Sequence, residues 1–137
     1  MIRRSGAHHA PAEMRVPLAP EPGEVPRVRQ LVRGTLLSWG LADAEDVTLL
    51  LVSELVTNAL LHGLPPLELR LNADGGRVRV EVFDGAGDHR PARKFVPPDA
   101  AHGRGIEIVA ALASRWGSAS APAGKLVWFE VDPVGGS

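Results

Sequence analysis

In the segment "VSELVTNALLHG", residues 52 to 63, Glu54, Asn58 and His62 recur at four-residue steps within an otherwise apolar run. On a helix that step stacks them along one face as a narrow polar band. Taken alone, the band also fits a plain solvent face, and His62, beside Gly63, fits a cap or packing residue at the helix end. Two other groups tilt the reading towards chemistry. Asp84 follows an alternating segment and precedes Gly85 and Gly87, glycines that would let the backbone come close to a flat ligand. Gly103 and Gly105, in "HGRGIEIV", stand where a long loop enters a helix, and free amides and a positive dipole at such a point suit phosphate.

The elements that must position these residues follow from periodicity. Residues 1 to 13 are polar and aperiodic, include His8 and His9, and read as a flexible N-terminal arm. "MRVPL" at 14 to 18 alternates but carries Pro17, which restricts it to an edge strand. A first helix is expected from Glu24 or Pro26 to Gly40, burying Val28, Leu31, Val32, Thr35, Leu36 and Trp39. The second helix is expected to take Asp43 as its N-cap and Asp46 in its first turn, and to end at Gly63 before Pro65 and Pro66. On it Leu49, Leu50, Leu51, Leu55, Leu60 and Leu61, with their apolar neighbours, leave only the band of Glu54, Asn58 and His62.

"LELRLNA" at 67 to 73 and "RVRVEVF" at 77 to 83 alternate with a period of two around Asp74-Gly75-Gly76, the pattern of an antiparallel hairpin with one covered face. Residues 84 to 102 have neither period, and a loop of that length suggests a lid or binding segment. "GRGIEIVAALASRW" reads as a third helix, and "GSASA" with "GKLVWFEV" as a last hairpin around Pro122-Ala123-Gly124. The expected class is α+β: a two-layer sandwich with a mixed, mainly antiparallel sheet and helices on one face. One domain over 14 to 132 and a short tail, 133 to 137, complete the division. Trp39, Trp116 and Trp128 fall outside every glycine-rich motif and read as core or sheet-face residues.

Composition narrows the function classes. The chain has 137 residues, 45% hydrophobic and 23% charged, in the ordinary range for a globular domain. A net charge of −1 argues against a primary nucleic-acid or anionic-membrane role. With no cysteine, thiolate metal sites, disulfides and cysteine nucleophiles are excluded. No apolar run reaches the roughly 20 residues of a membrane span and no secretory signal is evident, so a cytoplasmic location is expected.

In chain order these features are a Glu-x-x-x-Asn helix, a strand ending in Asp-Gly, a long loop and a Gly-x-Gly helix, and together they resemble the GHKL superfamily of ATP-binding domains. Within it, "LVSELVTNALLHG", "VEVFDGAG", "GRGIEIVAALASRWG" and "GKLVWFEV" are most similar to the bacterial anti-sigma-factor serine/threonine kinases. The resemblance covers about residues 14 to 132. It implies the histidine-kinase-like ATPase fold, also called Bergerat-type, with ATP and Mg2+ as cofactors. It implies Asn58 as the magnesium ligand and Glu54 as the group that orients or deprotonates the attacking hydroxyl. Asp84 would accept a hydrogen bond from the adenine amino group, Gly85 and Gly87 would form the first glycine box, and Gly103, Arg104 and Gly105 would hold the phosphates.

The resemblance also implies an anti-anti-sigma antagonist protein as substrate, a sigma factor as a second partner, and a homodimer. Two departures stand out. The family's box reads Asp-x-Gly-x-Gly, whereas here Asp84-Gly85-Ala86-Gly87-Asp88 shifts the glycines by one, and Lys125-Leu126 stands where many relatives carry threonine. Both imply weaker adenine recognition. The readings in competition are therefore an ATP-dependent protein kinase, an interaction module that has lost turnover, and a slow ATP hydrolase.

Overall fold

The computed structural model describes residues 11–85, 109, 111–121 and 123–133. Strand β1 (Ala12–Leu18) starts two residues before the expected Met14, and helix α1 (Glu24–Ser38) follows. The junction between them is tied by Glu24. Its buried carboxylate accepts Arg27 Nε at 3.0 Å, Arg27 Nη2 at 2.6 Å and the Ala19 amide at 3.3 Å. The Arg27 side chain also donates to the Pro17 carbonyl at 3.1 Å, so Pro17 presents its backbone to the open edge, where its missing N–H costs no ladder bond.

Helix α1 buries Val28, Val32 and Leu36 completely, a stripe at i, i+4 and i+8. Leu31, expected in that stripe, is 38% exposed because it lies on the flank of the helix. The helix closes in a Schellman motif: Leu41 N–H donates to Leu36 C=O at 2.8 Å and Gly40 N–H to Leu37 C=O at 3.1 Å. Gly40 has φ 77°, a conformation that favours glycine.

A 3₁₀ turn (Ala42–Ala44) then leads into α2 (Glu45–His62). The expected N-cap role of Asp43 is not realised. Asp43 lies inside the 3₁₀ turn, Ala44 occupies the cap position, and no side chain caps the helix. Glu45 and Asp46 supply negative charge to the first turn instead. The two helices are bridged by Arg29, which donates to Ser53 Oγ at 2.6 Å, and by Arg33, paired with Glu45 at 2.9 Å.

Strands β2 (Leu67–Asp74) and β3 (Arg77–Asp84) form the expected hairpin, with Gly75 and Gly76 both at positive φ, as a two-residue type I′ turn requires. The last strands are β4 (Arg115–Ala121) and β5 (Gly124–Val131). The third helix was expected to include Arg115 and Trp116, but both belong to β4. Trp116 pairs with Phe129 and turns its indole to the core, so the strand pattern prevails there. Most of the expected third helix lies outside the described residues; Val109, Ala111 and Leu112 are helical, and Val109 is buried.

The sheet order is β1-β2-β3-β5-β4, and every pairing among the described residues is antiparallel. Leu67, Leu69, Leu71, Val78, Val80, Val82, Val127 and Phe129 face the helices and form one core with Val52, Leu55 and Val56 of α2. On the opposite face Arg79 bonds Glu81 and Glu130, each at 2.8 Å, and its guanidinium lies 4.3 Å from the Trp128 ring centroid. Trp128 is thus a sheet-face residue, as expected. The α+β two-layer class holds, with α1 and α2 on one face.

Candidate nucleotide-binding cleft

Among the described residues only three polar or charged side chains are buried: Glu24, Thr48 and Asp84. Glu24 is engaged with Arg27 in the β1–α1 junction. Thr48 is enclosed by the core, and its hydroxyl has no hydrogen-bond partner among the described residues. Asp84, 6% exposed, differs from both because it stands at the end of a strand beside a cleft. Burying a carboxylate is costly, so its place there is the first structural pointer to a site.

The cleft is bounded by the C-terminal half of α2 and the adjoining ends of β3 and β5. Asn58 and His62 reach it from α2, Asp84 from β3 and Lys125 from β5, over an apolar floor that includes Leu55, Val82 and Val127. The alternation of β3 explains Asp84: counting two from Val80 and Val82 puts residue 84 on the helix-facing side. Lys125 arrives by the same parity from Val127 and Phe129, and it stands directly opposite Asp84 in the β3–β5 register. Three glycines allow this close assembly. A Cβ on Gly63 would lie 2.9 Å from Asp84 Cβ, and one on Gly124 would lie 2.0 Å from the Asp84 carbonyl oxygen.

Gly85 packs closely against the chain's own backbone. A Cβ there would lie 2.7 Å from the Pro65 carbonyl oxygen, and its amide donates to the Leu64 carbonyl at 2.7 Å. Its close approach is to the chain's own 64–66 segment, which anchors the end of β3 beneath α2. Gly63 also differs in mechanism: its φ of −88° is not left-handed, so it is needed for closeness to Asp84 and not for a helix-ending conformation.

The structure therefore brings together Asn58 and Asp84, while Gly85 follows Asp84 in the chain and packs on the 64–66 segment. Glu54 lies on α2 one turn before Asn58, half-buried and outside the lining of the cleft. Gly87, Gly103, Arg104 and Gly105, with His8, His9 and the rest of the 86–102 segment, lie outside the described residues. Two lining residues were not expected in a binding role, His62 and Lys125. The four-residue step already placed His62 on the face of Asn58. The resemblance had drawn notice to Lys125 only as a departure from threonine, and the β3–β5 pairing is what places its side chain in the cleft.

Electrostatically, the cleft joins the Asp84 carboxylate to the C-terminal, negative end of α2, with Lys125 as the positive counterpart. The enclosed space is about 20 Å³, enough for one water. The donor set suits magnesium nucleotide. Asn58 offers one amide oxygen, which would leave a Mg2+ ion to take its other oxygens from phosphates and water. No cluster of three His, Asp or Glu side chains able to hold a metal occurs among the described residues. No helix among them is long and apolar enough to cross a membrane.

A model of the histidine kinase-like ATPase domain matches residues 18–131. A search of curated proteins finds no match. Of the solved structures, the RsbU and RsbW domains of Rv1364c from Mycobacterium tuberculosis align with TM-score 0.66 and 20% identity, over 88% of this chain and 32% of that one. The histidine kinase domain of the blue-light-activated histidine kinase EL346 from Erythrobacter litoralis aligns with TM-score 0.54 and 18% identity, over 83% of this chain and 61% of that one. The chain thus spans less than two thirds of each, and at these identities the likeness is one of fold.

Proposed function

The chain belongs to the histidine kinase-like ATPase domain family, and from that premise we propose that it binds Mg·ATP in the cleft between α2, β3 and β5 as a regulatory protein kinase. The substrate we propose is a serine or threonine of a small antagonist protein of the anti-anti-sigma kind, with a sigma factor as second partner. The observation that supports the reading is the convergence of Asn58 and Asp84, from separate elements, on one cleft with a buried carboxylate.

In this reading ATP supplies the phosphoryl group, and Asn58 would hold the magnesium that balances its charge. Asp84 accepts a hydrogen bond from the adenine amino group. Glu54, about 6 Å along the helix from Asn58, accepts the proton of the attacking hydroxyl as the new P–O bond forms and ADP leaves. Gly103, Arg104 and Gly105 would hold the phosphates, with Gly87 completing the first glycine box.

The test is calorimetric titration with Mg·ATP of the wild type, Asn58→Ala and Asp84→Ala. Saturable binding that both variants lose supports the site. A wild type that binds no nucleotide overturns it, and favours an interaction module on the same fold. The small enclosed space and the shifted glycines around Ala86 are the observations that favour that second reading.

A further inference from the structure

Strand β1 closes one side of the sheet, and among the described residues no strand pairs with its outer edge. The bond from Arg27 to the Pro17 carbonyl shows which backbone groups face outward there. Alternation in an antiparallel pair puts Glu13 and Arg15 on the same side as Pro17, and by the same count Pro11. Glu13 and Arg15 thus turn both N–H and C=O to the open edge, whereas the two prolines offer no donor. Such an edge is a template for a further strand. The stretch from Pro11 to Pro17 is balanced about Met14, with a proline closing each end and Glu13 and Arg15, of opposite charge, flanking the centre.

We propose that a second copy of this chain docks on β1 about a two-fold axis through Met14, with Glu13 of each copy opposite Arg15 of the other, joining two five-stranded sheets into one. Charge selects this register from its neighbours. An axis through Glu13 would oppose two carboxylates. An axis through Arg15 would oppose two guanidinium groups and call on the Pro17 carbonyl that Arg27 already holds. With the axis at Met14, Glu13 and Arg15 exchange backbone bonds with their counterparts, and the pairing stops where proline meets proline. Within one copy Arg15 Nε donates to Glu13 at 3.1 Å, and both side chains are half exposed. Each has bonding capacity left for the other copy.

The helix-facing side suits the same axis. Met14 lies there in a groove between β1 and α1 that Leu31, Gly34, Thr35 and Trp39 also line. Leu31 is exposed, and a Cβ on Gly34 would meet nothing within 4 Å, so no described side chain fills this part of the groove. The axis sets Met14 of each copy against the other and brings the two α1 helices together over this strip. Strand β2 separates β1 from β3, so both clefts stay clear of the joint, and the dimer does not depend on the nucleotide reading.

Sedimentation equilibrium of the full chain tests this, with the wild type, Glu13→Arg, Arg15→Glu and an equimolar mixture of the two variants. The wild type is expected to dimerise. Each variant alone opposes like charges and is expected to self-associate about tenfold or more weakly. The mixture is expected to associate within about threefold of the wild type, because the two copies are complementary again. A wild type that stays monomeric at about 100 μM overturns the dimer. Variants that associate like the wild type overturn the β1 joint, and variants that dissociate but stay apart when mixed overturn the register.

Discussion

The carbonyl oxygen of Asp84 lies so close to Gly124 that a Cβ on residue 124 would stand 2.0 Å from it. No rotamer relieves a contact between a Cβ and a backbone oxygen, so the strands themselves must part. Gly124→Ala is expected to destabilise the fold by about 2 kcal/mol or more. It should also weaken Mg·ATP binding, since Asp84 moves with its backbone. Urea denaturation gives the first quantity and calorimetry the second. An alanine variant of wild-type stability would show that the turn after β4 packs elsewhere.

Glu54 and Asn58 separate binding from chemistry. Glu54 stands outside the lining of the cleft, one turn from the residue that would hold magnesium. Glu54→Gln is therefore expected to keep Mg·ATP affinity within about threefold while lowering phosphoryl transfer by about 10²-fold or more, the range for a lost general base. Radiolabelled transfer to the antagonist protein measures the second effect. Equal losses in binding and turnover would assign Glu54 to ground-state binding.

Thr48 is fully buried, and its hydroxyl has no hydrogen-bond partner among the described residues. Thr48→Val replaces that hydroxyl with a methyl of similar size and removes an unsatisfied polar group. The expected gain is about 1 kcal/mol in ΔG of unfolding, read from the denaturation midpoint at unchanged slope. A loss of stability would show that the hydroxyl is satisfied.

Acid should loosen the molecule through its paired carboxylates. The Arg27 side chain, by hydrogen bonding, holds Glu24 below the usual carboxylate range, and Arg115, with Arg79, does the same for Glu130; burial opposes both shifts. A depressed folded-state pKa contributes stability above the unfolded value, about 4.3 for glutamate, which is lost as pH falls through the folded value. Melting temperature is therefore expected to be level above about pH 5 and to fall below it. Glu24→Gln should start lower at neutral pH and fall less steeply in acid. A parallel slope in the variant would remove Glu24 from this account.

Periodicity made much of the fold legible in advance. The alternation of Leu67 to Leu71 against Val78 to Val82 predicted both hairpin strands and their buried face, because side chains on a strand must alternate whatever surrounds them. The four-residue step of Glu54, Asn58 and His62 likewise set them on one face of α2, and Pro17 marked the edge strand. Where local signals conflicted, reading the chain alone misplaced details. Asp43 has the chemistry of an N-cap, yet the 3₁₀ turn moves the helix start past it, and Arg115 and Trp116 continue a helical pattern but pair with β5.

What the tertiary structure alone decided is the company Asp84 keeps. Lys125 lies 41 positions away in the chain, 125 less 84, and only the β3–β5 register sets the two opposite each other. Gly63 and Gly124 look like ordinary helix-end and turn glycines in the sequence, but they let α2 and the last hairpin close on Asp84, and Gly85 lets the end of β3 close on Pro65. Local periods depend on backbone geometry that each residue carries with it. Register and close approach depend on packing between distant segments, and a linear pattern holds no record of that distance.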